Sequence, residues 1–348
     1  MNPKDSIKST WRTASRDTWT HNHWAIELFN AHPVDLNKPI PVHAKSEKLP
    51  YMPQWQMHRW VLLYAALPLA AHQLFSSYTG RTLGAFAAFT LYFIGVSAMV
   101  IYQVHILRRL GHIHGFLDGD THERDGVPDV GVGKVVGSLY KTTGSRIIAA
   151  IWLTYSSDMA YLPLNGMQWA WLPLTIGLYP IVLDFWFYWY HRAMHDVGFL
   201  WKFHRRHHLT KHPNPLLTAY ADHEQEFFDM VGIPVMTYLT ITKVLRVPMG
   251  FYDWWVCDTY IIFTELFGHS GIRLHLSPPS TASWLLQAFG AEIVTEDHDL
   301  HHRKGWRKSH NYGKQTRLWD RIFGTCLGRI ESVEGNVDYE NAATMPLF

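Results

Sequence analysis

The apolar positions of this chain fall into long uncharged blocks separated by polar sequence. Between Arg59 and Arg81 lies WVLLYAALPLAAHQLFSSYTG, and between Arg81 and Arg108 lies TLGAFAAFTLYFIGVSAMVIYQVHIL; neither contains Asp, Glu, Lys or Arg. Each can cross a hydrocarbon core of ~30 Å as a helix of about 20 residues. The connection at 76–82 is short, so the two read as a transmembrane hairpin. Polar sequence with Gly, Asp and Arg then runs from 108 to 146, and apolar character resumes at Ile147. No charged residue occurs between Met159 and Leu183, with a break near Pro163, Asn165 and Gly166. This pattern predicts a second hairpin over 147–162 and 168–190. Two later apolar stretches, 227–245 and 251–267, are interrupted by Lys243, Asp253, Asp258 and Glu265, and are expected to be buried or interfacial helices. Residues 1–58 are polar, with only a short helix predicted around 24–29. The expected fold is all-α: a polytopic membrane bundle of about four transmembrane helices, with a cytosolic helical cap.

Composition agrees with a membrane protein. Of 348 residues, 47% are hydrophobic and 17% charged, against about 25% charged in an ordinary soluble domain. A net charge of +2, without a run of Lys/Arg interleaved with aromatics, excludes a nucleic-acid partner. Cys257 and Cys326 lie far apart and form no CxxC pair, so they read as reduced packing residues. The N-terminal sequence lacks the apolar core of a secretory signal, and insertion is expected to use internal segments. Lys45, Lys48 and Arg59 precede the first hairpin, Arg108 and Arg109 follow it, and Arg81 alone sits at its tip. The excess of basic residues places the arm and the later histidines on the cytosolic side.

Histidine is the anomaly, with 23 in the chain. HRAMHDVGFLWKFHRRHH carries His191, His195, His204, His207 and His208; HDLHH, about a hundred residues later, carries His298, His301 and His302. Residues three and four apart on a helix share a face, so each cluster presents its imidazoles together. Isolated histidines such as His72, His105, His212, His275 and His310 lack such partners and read as structural. For the clusters a packing role is a poor account, because a buried imidazole without a partner costs of order 1–3 kcal/mol. If the three segments converge, they offer more nitrogen ligands than one ion uses, and two metals are the natural occupancy. Imidazole suits iron, zinc, copper and nickel alike. A tetrahedral zinc site needs only four ligands, and the HExxH protease helix is absent. The ligand number therefore favours two ions of higher coordination number. The apolar run IVLDFWFYWY leads directly into the first cluster and would deliver a greasy substrate to it. A di-iron centre that activates oxygen against a C–H bond is the chemistry that needs this arrangement.

HxxxH, HxxHH and a C-terminal HxxHH together resemble the fatty acid hydroxylase/sterol desaturase superfamily of integral-membrane di-iron enzymes. In HNYGKQTRLWDRIFGT, Asn311, Tyr312 and Gly313, followed by Trp319, Asp320 and Phe323 to Thr325, are similar to the ending that follows the last cluster there. FGHSG around His269 resembles the lone histidine between the second and third clusters, which in that family contributes to the metal site. The resemblance implies that His191, His195, His204, His207, His208, His269, His298, His301 and His302 hold two irons, with zinc as a substitute ion in purified protein. It covers roughly 147–328 and divides the chain into a cytosolic arm (1–58), a first hairpin with its polar connection (59–146), a hydroxylase-like catalytic domain (147–330) and a tail (331–348). AYADHEQEFFD departs from the family by lacking a proline, which leaves His223, with Asn311, as a candidate for orienting a ligand or bound water from behind.

The resemblance further implies an enzyme of the endoplasmic reticulum membrane, supplied with electrons from NAD(P)H through a b-type cytochrome and its reductase. HPVD and HPNP lack the glycines of the HPGG haem motif, so the donor is expected to be a separate protein. Lys202, Arg205, Arg206, Lys211, Arg303, Lys304, Arg307 and Lys308 flank the clusters and could form its docking surface, or face anionic headgroups. Hydroxylation of a fatty acyl, sphingoid or related chain is the first expectation, and desaturation or methyl oxidation of a sterol or terpenoid the second. The rival of another class is a non-redox membrane protein that binds zinc through histidines.

Overall fold

The computed structural model describes residues 5–119 and 123–348; residues 1–4 of the arm and 120–122 of the polar connection lie outside the described residues. Two short elements come first, helix α1 (His21–Leu28) and strand β1 (Leu49–Pro50). Helix α2 (Gln54–Thr79) then runs up to Gly80, whose φ of +67° only glycine adopts without strain, and α3 (Ala85–His114) returns from Gly84. The pair forms the expected hairpin. Its rods approach closely because Pro68 inside α2 packs on Gly95 of α3, where a Cβ would lie 3.1 Å from the proline ring.

The second hairpin differs from the expectation. Helix α4 spans Val132–Thr154, so it begins inside the polar connection and ends well short of 162. It carries its charges by pairing them: Lys134 lies 3.7 Å from Glu226, and Arg146 2.6 Å from Asp258. A charge-free window therefore misjudged both ends. After a short helix α5 (Pro163–Gly166), α6 (Leu172–Asp196) carries the first histidine pair at its end, and α7 (Gly198–His204) turns back from it. Residues 223–244 form a further rod, in which α8 (His223–Phe227) and α9 (Ile233–Leu239) are joined and followed by π turns at Phe228–Gly232 and Thr240–Val244.

Among the described residues, three rods are long and apolar enough to cross a membrane, Ala85–His114, Leu172–Asp196 and His223–Val244. The last was expected to be a buried or interfacial helix, and α2, which carries His72 and Gln73, falls outside this group. Exposed side chains such as Leu74, Phe86 and Trp152 give the bundle an apolar outer surface. The protein is an integral membrane protein of all-α architecture.

Helix α10 (Phe251–Gly268) is the hub, packed against α2, α3, α4 and α6 and buried on nearly every face. Beyond it lie α11 (Ser283–Ala288), α12 (Thr295–Lys304), α13 (Leu318–Ile322) and strand β2 (Val337–Asp338), which pairs in parallel with β1. Helix α12 is polar yet buried because its acids are satisfied. Glu296 accepts the backbone N–H groups of Ile330, Glu331 and Ser332, and Asp297 is gripped by Arg329 at 2.7 Å.

The loop at 311–316 is fixed by two buried carboxylates. Asp184 on α6 accepts the N–H groups of Lys314, Gln315 and Thr316 at 2.8–3.1 Å and the Thr316 hydroxyl at 2.9 Å. Asp320 on α13 accepts those of Tyr312 and Gly313 and the Thr325 hydroxyl. A Cβ on Gly313 would sit 2.3 Å from the Thr316 carbonyl and 2.9 Å from Asp184, so no other residue fits between them. This geometry is the physical content of NYGKQT and WDRIFGT. Replacing Asp184 by alanine leaves four donors, three backbone N–H groups and the Thr316 hydroxyl, without their acceptor. Asp184→Ala is expected to destabilise the solubilised protein by about 2–4 kcal/mol, read as an earlier thermal transition, whereas Asp184→Asn should lose less.

Candidate metal centre

The histidine clusters do converge, and they sort into two nests. His191, His195, His204, His208 and His301 form one, and His207, His269, His298 and His302 the other, with candidate ligand atoms in each nest within 4.8 Å of one another. All nine rings are buried. The nests abut: the rings of His208 and His302 stack with centroids 4.8 Å apart.

The sorting follows helical spacing more finely than one face per cluster. On α6, His191 and His195 are four apart and share a nest; so are His204 with His208, and His298 with His302 on α12. The residue three along, His207 or His301, points into the other nest. Adjacent residues on a helical path diverge by roughly 100°, which sends His207 and His208 apart. Helix α7 ends at His204 and a turn of 3-10 helix at His207–Leu209 carries the neighbouring pair. His269 caps α10 and enters the second nest from the hub.

Hydrogen bonds at the outer nitrogens set the tautomers. The Nδ1–H of His191 donates to the Tyr312 carbonyl at 2.8 Å, that of His195 to Trp306 at 2.8 Å, and that of His301 to His310 at 2.6 Å. His204 donates to the side-chain oxygen of Gln225 at 3.0 Å, His269 to the carbonyl of Glu265 at 2.9 Å, and His302 to that of Thr210 at 3.1 Å. A carbonyl oxygen only accepts, so these Nδ1 atoms hold the proton and the Nε2 lone pairs face inward. There they crowd: the Nε2 of His204 lies 3.0–3.1 Å from those of His191, His195 and His208, and the Nε2 of His208 lies 3.0 Å from that of His301. Lone pairs at that range repel, and bound cations remove the conflict. In the second nest, Nε2 of His302 has no hydrogen-bond partner among the described residues. The donor set therefore fits two metal ions.

Burial, then the charge that protonating neighbouring rings would add, holds His204, His207, His208, His298, His301 and His302 well below the ordinary histidine range. Burial pushes His269 down to about 3. Neutral imidazole is the ligand form.

A cavity of about 1190 Å³, open mouth included, reaches residues that hold the histidines from behind rather than the histidines themselves. Its walls are apolar, with Val96 and Val100 of α3, Ile147 and Ala150 of α4, and Phe251 and Trp255 of α10. Gln225, whose side chain holds His204, and Glu265, whose carbonyl holds His269, lie at one end. Lys314 joins them there, 2.8 Å from Glu265, 3.1 Å from Asp229 and over the Phe187 ring.

The remaining candidates are dispersed. His223 is 62% exposed at its side chain and bonds Glu226 rather than an imidazole. Asn311 bonds the Asp297 carbonyl and the Leu327 N–H, stapling α12 to the C-terminal segment. Of the flanking basic residues, Arg303 is buried between Asp118 and Asp299, Arg205 pairs with Asp5 at 2.6 Å and Arg206 with Asp222. Lys211 donates to the Gly305 carbonyl, while Lys202, Lys304, Arg307 and Lys308 are exposed. Sequence reasoning missed Gln225, Glu265 and Lys314, which have no motif spacing. Gln225 stands two residues from the histidine that was singled out in its place.

A family model described as Fatty acid hydroxylase matches residues 176–325. The chain is 45% identical over 311 residues to "Fatty acid hydroxylase vlmA" of Lecanicillium sp, covering 86% of this chain and 84% of that protein. It is 25% identical over 194 residues to the alkylglycerol monooxygenase of Xenopus tropicalis, spanning 55% of this chain but only 37% of that one. It is 28% identical over 173 residues to methylsterol monooxygenase 2-2 of Arabidopsis thaliana, spanning 49% and 60%. No solved structure matches.

The nests predict their own dependence on Gln225. Gln225→Leu removes the acceptor for His204 and should weaken metal binding about 10–100-fold, measured by chelator competition, with membrane insertion intact. His301→Ala should lower bound metal per chain; unchanged metal content would remove His301 from the ligand set.

Proposed function

From membership of the fatty acid hydroxylase family, to which this chain belongs, we propose that the nine clustered histidines hold two iron ions and that the enzyme hydroxylates an apolar chain drawn from the membrane. Named relatives are hydroxylases and monooxygenases, and the chain is an oxidoreductase that modifies lipids. One observation carries the finer reading: nine neutral, inward-facing imidazoles gather in two nests, and Gln225 and Glu265, which hold His204 and His269, line a mainly apolar cavity. Five and four nitrogens leave positions open on ions that favour six ligands, which suits iron better than structural zinc.

Iron at the nests supplies the activation of O₂; the balance is R–H, O₂, two electrons and two protons giving R–OH and water. The chain's residues do the rest. The carbonyls of Tyr312, Trp306, His310 and Thr210 hold the rings with Nε2 inward. The apolar walls of the cavity exclude water and align a chain past the nests. A linear acyl chain is favoured by the relative that matches along most of both lengths; oxidation of a sterol methyl, or desaturation, is the second reading.

Electrons come from a separate b-type cytochrome and its NAD(P)H-dependent reductase, at a cytosolic face of the endoplasmic reticulum membrane. With Arg205, Arg206 and Arg303 engaged internally, the docking patch contracts to Lys202, Lys304, Arg307 and Lys308. Lys304→Glu with Lys308→Glu is expected to raise the KM for a reduced acidic carrier about tenfold, while turnover with a chemical reductant stays unchanged.

The reaction itself is tested with purified protein loaded with ferrous iron, a reductant and labelled oxygen gas. One labelled oxygen atom is expected in a hydroxylated lipid product, and His301→Ala should abolish it. Zinc as the sole bound metal, with no product under any reductant, would support the zinc-binding rival instead.

A further inference from the structure

The cavity beside the nests is mainly apolar, and besides the polar group formed by Gln225, Glu226, Asp229, Glu265 and Lys314 it is lined by a second buried ion pair, Arg146 with Asp258. Helix α10 presents Phe251, Trp255, Asp258, Ile262 and Glu265 to the cavity, a single stripe at helical spacing. Asp258 lies seven residues from Glu265, roughly 10 Å along the helix axis. Opposite it, Arg146 of α4 donates through Nη2 to Asp258 at 2.6 Å. Tyr179 donates to the same carboxylate oxygen at 3.4 Å.

A pairing that served only to pin α4 to α10 would be expected to satisfy the guanidinium. It does not: Arg146 is 5% exposed, lines the cavity, and its Nε–H has no hydrogen-bond partner among the described residues. A buried donor without an acceptor is costly, and ionisable residues within a membrane bundle mark substrate paths more often than packing.

We propose that the Arg146–Asp258 pair anchors an uncharged oxygen-bearing group of the substrate, such as an amide, ester or keto carbonyl, and that this anchor fixes which carbon of the chain reaches the metal nests. The Nε–H of Arg146 donates to the oxygen. The charge of Arg146 is already balanced by Asp258, so a carboxylate at the same point would be buried without a counter-ion. Nearer the nests, Asp229 and Glu265 share the single ammonium of Lys314, which adds to the exclusion of an anion. The predicted substrate is therefore a neutral long-chain amphiphile rather than a free fatty acid, oxidised at a set distance from its oxygen. The inference about the oxidised carbon rests on the hydroxylase reading; that about binding does not.

The test uses the full chain in lipid nanodiscs and two readouts. Equilibrium binding compares a long-chain primary amide, the carboxylate and the alkane of equal length. Wild type should bind the amide about tenfold more tightly than either. The double variant Arg146→Leu with Asp258→Leu removes both charges together, which a packed interior tolerates, and should lose that preference while keeping its metal content. The second readout needs no variant: a series of isomeric ketones, with the carbonyl moved along the chain, is offered to the wild-type enzyme. Product hydroxyls should keep a constant spacing from the carbonyl. Tighter binding of the carboxylate or alkane, an amide preference that survives in the double variant, or hydroxylation counted from the methyl end regardless of the carbonyl would each overturn the anchor. An amide preference in wild type without turnover of any probe would leave the anchor standing and sink the hydroxylase reading instead.

Discussion

Imidazole nitrogens about 3 Å apart, with their lone pairs facing one another, repel unless cations lie between them, and the centre of this protein is built on that conflict. His191, His195 and His204 cannot relax by turning round, because their outer nitrogens are committed to backbone carbonyls and to Gln225. The Tyr312 carbonyl in turn belongs to the loop at 311–316, which Asp184 and Asp320 grip from two helices. Strain at the ligands, hydrogen bonds behind them and carboxylates behind those form one chain of dependence. It explains why a membrane bundle invests so many buried polar groups in its C-terminal half.

Much of the site was legible in the sequence, because its signal is local. HRAMH, HRRHH and HDLHH announce themselves by spacing, and His269 by its resemblance to a family pattern; all nine rings lie in the two nests. Their division between nests was not legible, since it depends on whether a residue is three or four along, and on a 3-10 turn replacing the α-helix at 207–209. Gln225, Glu265 and Lys314 escaped because they act through tertiary proximity. The partners of the flanking arginines were hidden for the same reason: the carboxylates that engage Arg205 and Arg303 come from Asp5 and Asp118, far away in sequence.

The fold was legible where the apolar blocks are uninterrupted, as in the first hairpin and α6. It was misjudged where charge is paired inside the bundle. Arg146 and Lys134 made the start of α4 look like a polar connection, although Asp258 and Glu226 meet them across the packing. The rod at 223–244 looked buried or interfacial because Lys243 interrupts it, and its other charge, Asp229, is matched by Lys314. A window of hydropathy weighs each charge as though it were alone.

The distribution of the i, i+4 and i+3 histidines has a consequence for redesign. The segment at 204–208 and helix α12 each serve both nests, and only α6 and His269 belong to one. Any movement of α12 therefore acts on both nests at once, through His301 in one and His298 and His302 in the other. The two sites are thus geared together like wheels on a shared shaft. One nest cannot be emptied of its imidazoles by deleting a motif; it requires choosing, ring by ring, which teeth to remove.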